Sequence, residues 1–246
     1  MTEKVKWETN TDWGNSVDSD NIEIVQDKFR IDSTIPDEGD LHARYDTTQL
    51  SLNDGDAVST WTDETGNGYD LTAGSAPSYV ASGLNGNPIV QFDGSGNYLD
   101  AAFTTVSQAF HIFIVVTQRR INTSSSERYM GSADSTNWTF QQLADADDVN
   151  MFAGSNFNNS GVADTNAHIY SCLYDGSNTT LRQDGTIIAT GNAGTNGMDG
   201  LTLGTNNNGD NPAPIDVAEC LVYPMDKSGV QSDVESYLAD KWGITI

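Results

Sequence analysis

Positively charged residues are scarce in this sequence. Only 11 of the 246 residues are Lys or Arg, against 35 Asp and Glu, which gives a formal net charge of −24. The acidic residues are spread along the chain, so they indicate the surface of a folded protein and not an acidic tail. Nucleic acids and anionic membranes carry the same sign of charge, and no basic stripe offsets the repulsion. We therefore expect neither as a partner, whereas cations and neutral polymers are compatible with this surface.

Cysteine and long apolar segments are also rare. Cys172 and Cys220 each lie in a predicted strand among apolar neighbours. We expect buried thiols there, and the sequence leaves open whether they pair. No apolar segment reaches the roughly 20 residues that a membrane-spanning helix needs. The first residues, Met-Thr-Glu-Lys-Val-Lys-Trp, lack the apolar core of a secretory signal, so we expect no secretion route.

Turn signals between short apolar runs are abundant. Asn53-Asp54-Gly55, Gly66-Asn67-Gly68 and Asn85-Gly86 alternate with strand-like segments, which is typical of antiparallel β-proteins. Asp184-Gly185 stands between two strand-like runs and predicts a hairpin. The segment Phe110–Thr117 is apolar apart from one histidine, so it predicts a central strand buried on both faces. This pattern predicts an all-β protein, an antiparallel β-sandwich in one large domain.

The C-terminus alone reads as a helix. Val230, Val234, Leu238 and Trp242 recur at helical spacing and predict one apolar face, and Gly243 stands at the expected end of the helix. Ser228 and Gln231 have the spacing of a capping box. We expect this short helix to cover an edge or an end of a sheet.

The amino-acid sequence from about residue 40 to the end of the chain resembles the LamG-like jelly-roll domains of the concanavalin A-like lectin/glucanase superfamily. The matching elements, in chain order, are Tyr45-Asp46, Asp54-Gly55-Asp56, Val58-Ser59-Thr60-Trp61-Thr62-Asp63, Gly66-Asn67-Gly68, Pro77 with Tyr79, Phe92-Asp93-Gly94, Tyr174-Asp175-Gly176, Gln183-Asp184-Gly185, Ala218-Glu219-Cys220-Leu221-Val222-Tyr223 and the helix Val234–Ile244. The resemblance implies a concanavalin A-like jelly roll with a short C-terminal helix. It implies less about function, since this fold carries lectins, adhesion modules, structural spikes and a few enzymes.

The resemblance divides the chain at residue 40. Residues 40–246 form the LamG-like domain, and residues 1–39 lie outside the match. Asn21–Val25 and Lys28–Ile31 alternate apolar and polar residues, which predicts a small hairpin. This N-terminal segment is either an extra strand pair folded onto the sandwich or an attachment segment that docks onto another protein.

The sequence does not favour an enzyme. Glucanases of this superfamily carry acidic residues alternating along one strand, in a Glu-x-Asp-x-Glu pattern that is missing here. Three histidines, His42, His111 and His168, have no recognisable lyase motif around them, and no Gly-x-Ser-x-Gly elbow is found. We therefore predict a non-catalytic protein.

Two sets of residues are candidates for binding. Many LamG-like domains bind Ca²⁺ at a loop rim, and hard cations prefer carboxylate and carbonyl oxygens. Calcium is therefore a candidate cofactor, and its candidate ligands lie in two predicted loops: Asp134, Asp145, Asp147, Asp148, Asn208 and Asp210. In the alternative interpretation these side chains are solvated surface groups that bind no metal. Aromatic rings beside amide groups suit a sugar, and two stretches supply them: Tyr129, Trp138, Phe140, Asn156, Phe157, Asn158 and Asn159. In the alternative interpretation, Trp138 and Phe140 belong to a core strand.

These features together predict a surface-recognition or decoration protein of a virion. A lectin-like sandwich implies an extracellular surface, and virion proteins reach it without a secretory signal. The expected component is a capsid turret, spike or tail fibre of a haloarchaeal virus. Its partners would be a host-surface glycan and other virion proteins bound through residues 1–39, and its expected form is a homo-oligomer, a trimer by analogy with that class. The alternatives are a cellular adhesin or polysaccharide-binding module and a glycan depolymerase.

The acidity of the surface indicates either adaptation to a high-salt environment or an ordinary acidic secreted protein, and the dependence of stability on salt distinguishes the two. The Debye length shortens from about 10 Å at 0.1 M salt to about 3 Å at 1 M, so molar salt removes most of the repulsion among surface carboxylates. We expect the melting temperature to rise steeply between low and molar KCl. A melting temperature indifferent to salt would contradict the proposed adaptation to high salt.

Overall fold

The computed structural model describes residues 34–246 except for 122, 134–137, 145–147, 160–162 and 207–208, with residues 158 and 159 described by their backbone alone. Residues 1–33, which include the predicted hairpin at 21–31, lie outside the described residues. The described residues form two antiparallel sheets and one C-terminal α-helix. The predicted fold class, an all-β antiparallel sandwich with a short C-terminal helix, is confirmed.

The first sheet is built around three long central strands. Its strand order in space is β14-β13-β12-β7-β16-β5-β4, with β1 also paired to β16. The strands are β1 (Ala43–Asp46), β4 (Ser78–Leu84), β5 (Asn87–Gln91), β7 (Phe110–Gln118), β12 (Ala167–Tyr174), β13 (Thr179–Gln183), β14 (Thr186–Gly191) and β16 (Ile215–Tyr223).

The second sheet faces the first across the main core. Its strand order is β11-β10-β9-β8-β15-β6-β3-β2. The strands are β2 (Thr60–Trp61), β3 (Leu71–Ser75), β6 (Tyr98–Val106), β8 (Glu127–Gly131), β9 (Thr139–Gln142), β10 (Val149–Phe152), β11 (Asn156–Asn159) and β15 (Met198–Leu203).

The central strand β7 is buried on both of its faces. Ile112 and Ile114 point into the core between the sheets, whereas Phe113 and Val115 belong to a second apolar cluster on the outer side of the first sheet. This double burial explains why the segment is continuously apolar and does not alternate. The predicted central strand is therefore confirmed.

Two tight hairpins confirm the predicted Asx-Gly turns. Asn85 and Gly86 connect β4 to β5 with φ angles of 50° and 83°, and Asp184 and Gly185 connect β13 to β14 with φ angles of 47° and 75°. Positive φ at both central residues matches the right-handed twist of the flanking strands, and Asn, Asp and Gly adopt it at little cost.

The C-terminal helix α1 (Gln231–Trp242) packs on the outer face of the first sheet. Val234, Leu238 and Trp242 are completely buried there, in the cluster that also holds Phe113 of β7. The helix therefore covers central strands of the sheet and not an edge, which corrects the prediction. Gly243 ends the helix in the left-handed conformation, as predicted. The helices of the described residues include none that is long and apolar enough to cross a membrane.

The start of the helix also differs from the prediction. Ser228 donates its hydroxyl hydrogen to Asp226 at 2.5 Å, and the Gln231 amide reaches Ser171 of β12 at 2.7 Å. Neither side chain caps the helix, so the predicted capping box is wrong. Gln231 instead joins the helix to the sheet.

Residues 34–40 belong to the same compact unit as the sandwich, which runs from Thr34 to Ile246. Ile35 is buried in the cluster beneath the helix, and the Tyr223 hydroxyl donates to the Pro36 carbonyl at 2.8 Å. Asp37 and Asp40 pair with Lys227 at 2.8 and 2.5 Å. The last part of the predicted attachment segment is therefore integrated with the domain.

Cys172 and Cys220 are both buried and unpaired. Burial raises the pKa of both thiols. The expected buried thiols are confirmed, and the open question of their pairing is answered by two free cysteines.

A buried carboxylate holds the helix to the sheet. Glu219 of β16 is fully buried and accepts hydrogen bonds from the Lys241 ammonium at 2.7 Å and the Trp242 indole at 2.8 Å. The Tyr237 hydroxyl and the Arg44 guanidinium reach its other oxygen at 3.0 and 3.3 Å. One side chain therefore joins β1, β16 and α1.

Replacing Glu219 by Gln should destabilise the protein strongly. The change removes one of the two carboxylates that pair with Arg44 and Lys241, the other being Asp46. The loss is therefore at most the roughly 3–5 kcal/mol of a buried ion pair broken from one side. Urea unfolding followed by circular dichroism measures the loss. Asp240→Asn removes the same charge from an exposed position of the helix and should leave stability nearly unchanged. Equal effects of the two substitutions would contradict the assigned role.

Candidate functional site

The outer face of the second sheet carries two rows of side chains across strands β8 to β11. Arg128, Gln141 and Asn150 are register partners in one row, which continues to the backbone of Asn158. Gly131, Thr139, Phe152 and Asn156 form the neighbouring row. Adjacent strands lie about 4.8 Å apart, so the two rows form a patch that spans four strands.

A pocket lies between these two rows. It has a volume of about 230 Å³ and is lined by Arg128, Thr139, Gln141, Phe152 and Asn156. Phe152 is half-buried and supplies an apolar wall, whereas Asn156 is exposed at the rim. The other lining groups are a hydroxyl, amides and a guanidinium, so the pocket offers mainly hydrogen-bond donors and acceptors.

Arg128 differs from the other cations of the described residues. Seven Lys and Arg side chains lie in this part of the chain, and six of them pair with carboxylates at 3.3 Å or less: Arg44, Arg119, Arg120, Arg182, Lys227 and Lys241. Arg128 forms no ion pair with any described carboxylate, and its buried Nε atom has no hydrogen-bond partner. Burial lowers the pKa of its guanidinium, and the charge of Asp210 acts in the opposite direction. The group stays charged at any physiological pH, because the ordinary pKa of arginine is above 12.

The Gln141 amide beside Arg128 is only partly satisfied. Gln141 donates its Nε2 hydrogen to the Asn150 side chain at 3.3 Å, while its buried Oε1 atom has no partner within the described residues. Asn150 is fully buried and donates to the Phe157 carbonyl at 3.2 Å. A bound polar molecule would supply the missing partners, because buried polar groups are rarely left unpaired.

The structure corrects the predicted aromatic rim. Trp138 and Phe140 are fully buried, and Tyr129 and Phe157 are buried almost as completely, all within the core between the sheets. The Tyr129 hydroxyl donates to Gln118 of the opposite sheet, and its ring packs edge-on against Phe140 at 5.1 Å. No sugar can stack on these rings in this conformation.

Asn156 is the predicted glycan-binding residue that lines the pocket. Asn158 and Asn159 pair through their backbones with Asn150 and Val149 of β10. The two stretches that hold the predicted glycan-binding residues lie side by side, since β8, β9, β10 and β11 are adjacent strands.

Sequence reasoning missed Arg128, Thr139, Gln141 and Phe152. They are the neighbours in sequence of buried Tyr129, Phe140 and Met151, and successive side chains of a strand point to opposite faces. Once Phe140 is assigned to the core, Thr139 and Gln141 must point outward. That alternation was the signal available in the sequence.

The predicted calcium ligands that the structure describes do not form a cluster. Asp134, Asp145, Asp147 and Asn208 lie outside the described residues, and Asp148 and Asp210 belong to separate loops. Asp210 closes a short loop, since its backbone N–H donates to the Asn206 side chain at 2.7 Å. Among the described residues no three His, Cys, Asp or Glu side chains lie close enough to hold a metal ion. Calcium binding stays a prediction.

A serine–histidine pair is present but is inaccessible. His111 Nε2 lies 2.8 Å from the Ser171 hydroxyl, and both residues are completely buried beneath the C-terminal helix. Burial lowers the pKa of His111 to about 3, so the ring is neutral. The pair serves packing, because no substrate reaches it.

His168 is held between two carboxylates. Its Nδ1 lies 2.6 Å from Asp184 and its Nε2 lies 2.8 Å from Asp164. Burial lowers the pKa of His168, but the hydrogen bonds and charges of Asp184 and Asp164 outweigh burial and raise the pKa above its ordinary value.

Comparisons with known proteins agree on the fold. No protein-family profile and no curated protein matches the sequence. Trypanosoma rangeli sialidase in complex with sialic acid superposes with a TM-score of 0.60 and 12% identity, over 84% of this chain and 34% of that chain. The botulinum neurotoxin serotype D/C binding domain superposes with a TM-score of 0.61 and 9% identity, over 82% of this chain and 52% of that chain.

The ligand-binding domain of botulinum neurotoxin serotype D, in complex with N-acetylneuraminic acid, gives a TM-score of 0.60 and 8% identity over 83% of this chain and 52% of that chain. The present chain thus spans about a third of the sialidase and about half of the toxin domains. At such identities the likeness establishes a shared β-sandwich fold.

The stability contributed by His168 should depend on pH. A raised pKa in the folded state stabilises the protein below the unfolded-state pKa of about 6.5, and this contribution is lost as pH rises through the folded-state pKa. His42 and His111 have lowered pKa values, so their titration affects stability only below pH 6.5. Melting curves should therefore show the stability advantage over His168→Gln shrinking as the pH rises above about 6.5. An advantage that stays constant across this range would contradict the ion-pair assignment.

Proposed function

We propose that this chain is a non-catalytic glycan-binding module whose ligand occupies the pocket on the outer face of the second sheet. The observation that carries this proposal is the set of hydrogen-bonding groups without internal partners around the pocket. Arg128 Nε and Gln141 Oε1 are buried atoms with no partner in the described residues, and Asn156 is exposed beside them. Such groups gain most from a ligand rich in hydroxyls.

The shape of the pocket also suits a sugar. Its volume of about 230 Å³ is below the roughly 300–1,000 Å³ of typical small-molecule pockets, which favours a single sugar residue. The half-buried ring of Phe152 offers an apolar surface to the C–H face of a sugar, while Thr139, Gln141 and Asn156 offer polar groups to its hydroxyls.

Related folds include both a sialidase and toxin binding domains, so the choice between cleavage and recognition rests on the lining of the pocket. One solved structure with this fold is a toxin ligand-binding domain in complex with N-acetylneuraminic acid. The described residues that line the pocket include no carboxylate, whereas most glycosidases place two carboxyl groups on either side of the scissile bond. We therefore favour binding without catalysis, within the LamG-like branch of the concanavalin A-like superfamily that the sequence resembles.

For the biological setting, we infer a decoration protein on the virion surface of a haloarchaeal virus. The inference rests on the lectin-like fold, the net charge of −24 and the 33 residues that precede the compact unit. Those residues would dock onto another virion protein, in a trimer or another homo-oligomer. Imaging of the native assembly tests this setting, and a chain found on a cell surface would favour an adhesin.

Binding is tested with a glycan array followed by calorimetry at 1 M KCl. Asn156→Ala and Phe152→Ala should each weaken binding about two- to tenfold, since hydrogen bonds and aromatic contacts contribute about 0.5–1.5 kcal/mol each. Gln49→Ala removes an exposed amide far from the pocket in sequence and should leave binding unchanged. Wild-type binding unaffected by both pocket substitutions would move the site elsewhere, and release of reducing ends would indicate a depolymerase.

A further inference from the structure

We infer that the ligand of this pocket is an acidic saccharide whose anionic group pairs with Arg128. This inference rests on the proposed function and adds the chemical class of the ligand. The carrying observation is that the one described cation without a carboxylate partner lines the pocket.

An arginine without a carboxylate partner is unusual in a chain with so many acidic residues. Acidic residues outnumber basic ones by 35 to 11, so a cation on this protein finds an internal partner easily. Even Arg120, whose side chain is half exposed, pairs with Glu127 only one position before Arg128 in the chain. The guanidinium of Arg128 is partly desolvated and lacks such a partner, a state that an anionic ligand would relieve.

Arg128 has a fixed backbone and neutral neighbours in the pocket. Its backbone N–H donates to the Asn211 carbonyl at 2.9 Å, and its register partner is Gln141, so the base of the side chain is fixed between a loop and a strand. The other lining residues, Thr139, Gln141, Phe152 and Asn156, are all neutral. Its Nε atom is buried without a hydrogen-bond partner, and the residue as a whole is half-buried at the wall of the pocket.

A planar guanidinium suits an anion with two adjacent oxygens. Carboxylates and sulfate groups both accept two parallel hydrogen bonds from arginine, and such charge-assisted bonds are about twice as strong as neutral ones. A carboxylate would come from a sugar acid and a sulfate from a sulfated sugar. The shared chemistry is a sugar-borne anion, and the two sources are separated by the choice of probe.

The net charge of the chain sets the conditions of the test. A charge of −24 repels an anionic sugar at low salt. At 1 M salt the Debye length is about 3 Å, so the long-range repulsion is screened while a contact pair in a pocket is screened much less. Calorimetry is therefore carried out in 1 M KCl.

The probes are glucuronic acid, its neutral methyl ester, N-acetylneuraminic acid and glucose 6-sulfate, titrated into the full chain. We expect at least one acid to bind ten times more tightly than the neutral ester. Arg128→Gln should abolish this preference and weaken binding of the ester much less than binding of the acid. Arg119→Gln, which removes the same charge just after β7 of the first sheet, should retain the preference. The tighter binder among the acids identifies carboxylate or sulfate as the group recognised.

Several outcomes overturn the inference. If the methyl ester binds as well as every acid, or if Arg128→Gln keeps the full preference, the pocket binds neutral glycan and the proposed function stands without this refinement. If neither acids nor neutral glycans bind, both proposals fail. Should Arg128→Gln not fold, Arg128→Lys keeps the charge and loses the fork; an unchanged preference there would exclude paired recognition by arginine.

Discussion

The alternation of side chains along β8, β9 and β10 is the constraint on which the candidate site depends. Tyr129, Phe140 and Met151 enter the core, so their neighbours in sequence must lie on the outer face. A shift of the strand register by one residue would exchange the inward-facing and outward-facing side chains. It would place a guanidinium and amides in the apolar interior. The burial of large aromatic rings therefore fixes the position of every polar group that lines the pocket.

The outer faces of the two sheets differ in what covers them. The outer face of the first sheet is covered by helix α1 and by residues near Ile35, and the buried carboxylate of Glu219 secures that layer. The second sheet has its pocket on the outer face. A sandwich with one face closed by a helix can thus present the opposite face to a ligand without loss of core.

Some elements could be predicted from local pattern because their determinants are local. The Asp184-Gly185 hairpin follows from the ease with which these residues adopt positive φ, and β7 is recognisable because burial on both faces demands a continuous apolar run. The helix was predictable from its period, but its partner was not, since an apolar stripe fits an edge or a face equally well. Ser228 and Gln231 have capping-box spacing, yet Asp226 and Ser171 offer them better partners.

The sequence by itself determined the class of the fold and the acidic surface, because alternation, turn residues and net charge are properties of the chain alone. Only the tertiary structure decided which residues face solvent together. Trp138 and Phe140 have the chemistry of a sugar platform, and the core claims them because its apolar volume must be filled. Arg128 is one of eleven cations in the sequence, and nothing in the sequence distinguishes it from the others. The structure distinguishes it, because the other described cations pair with carboxylates and Arg128 does not.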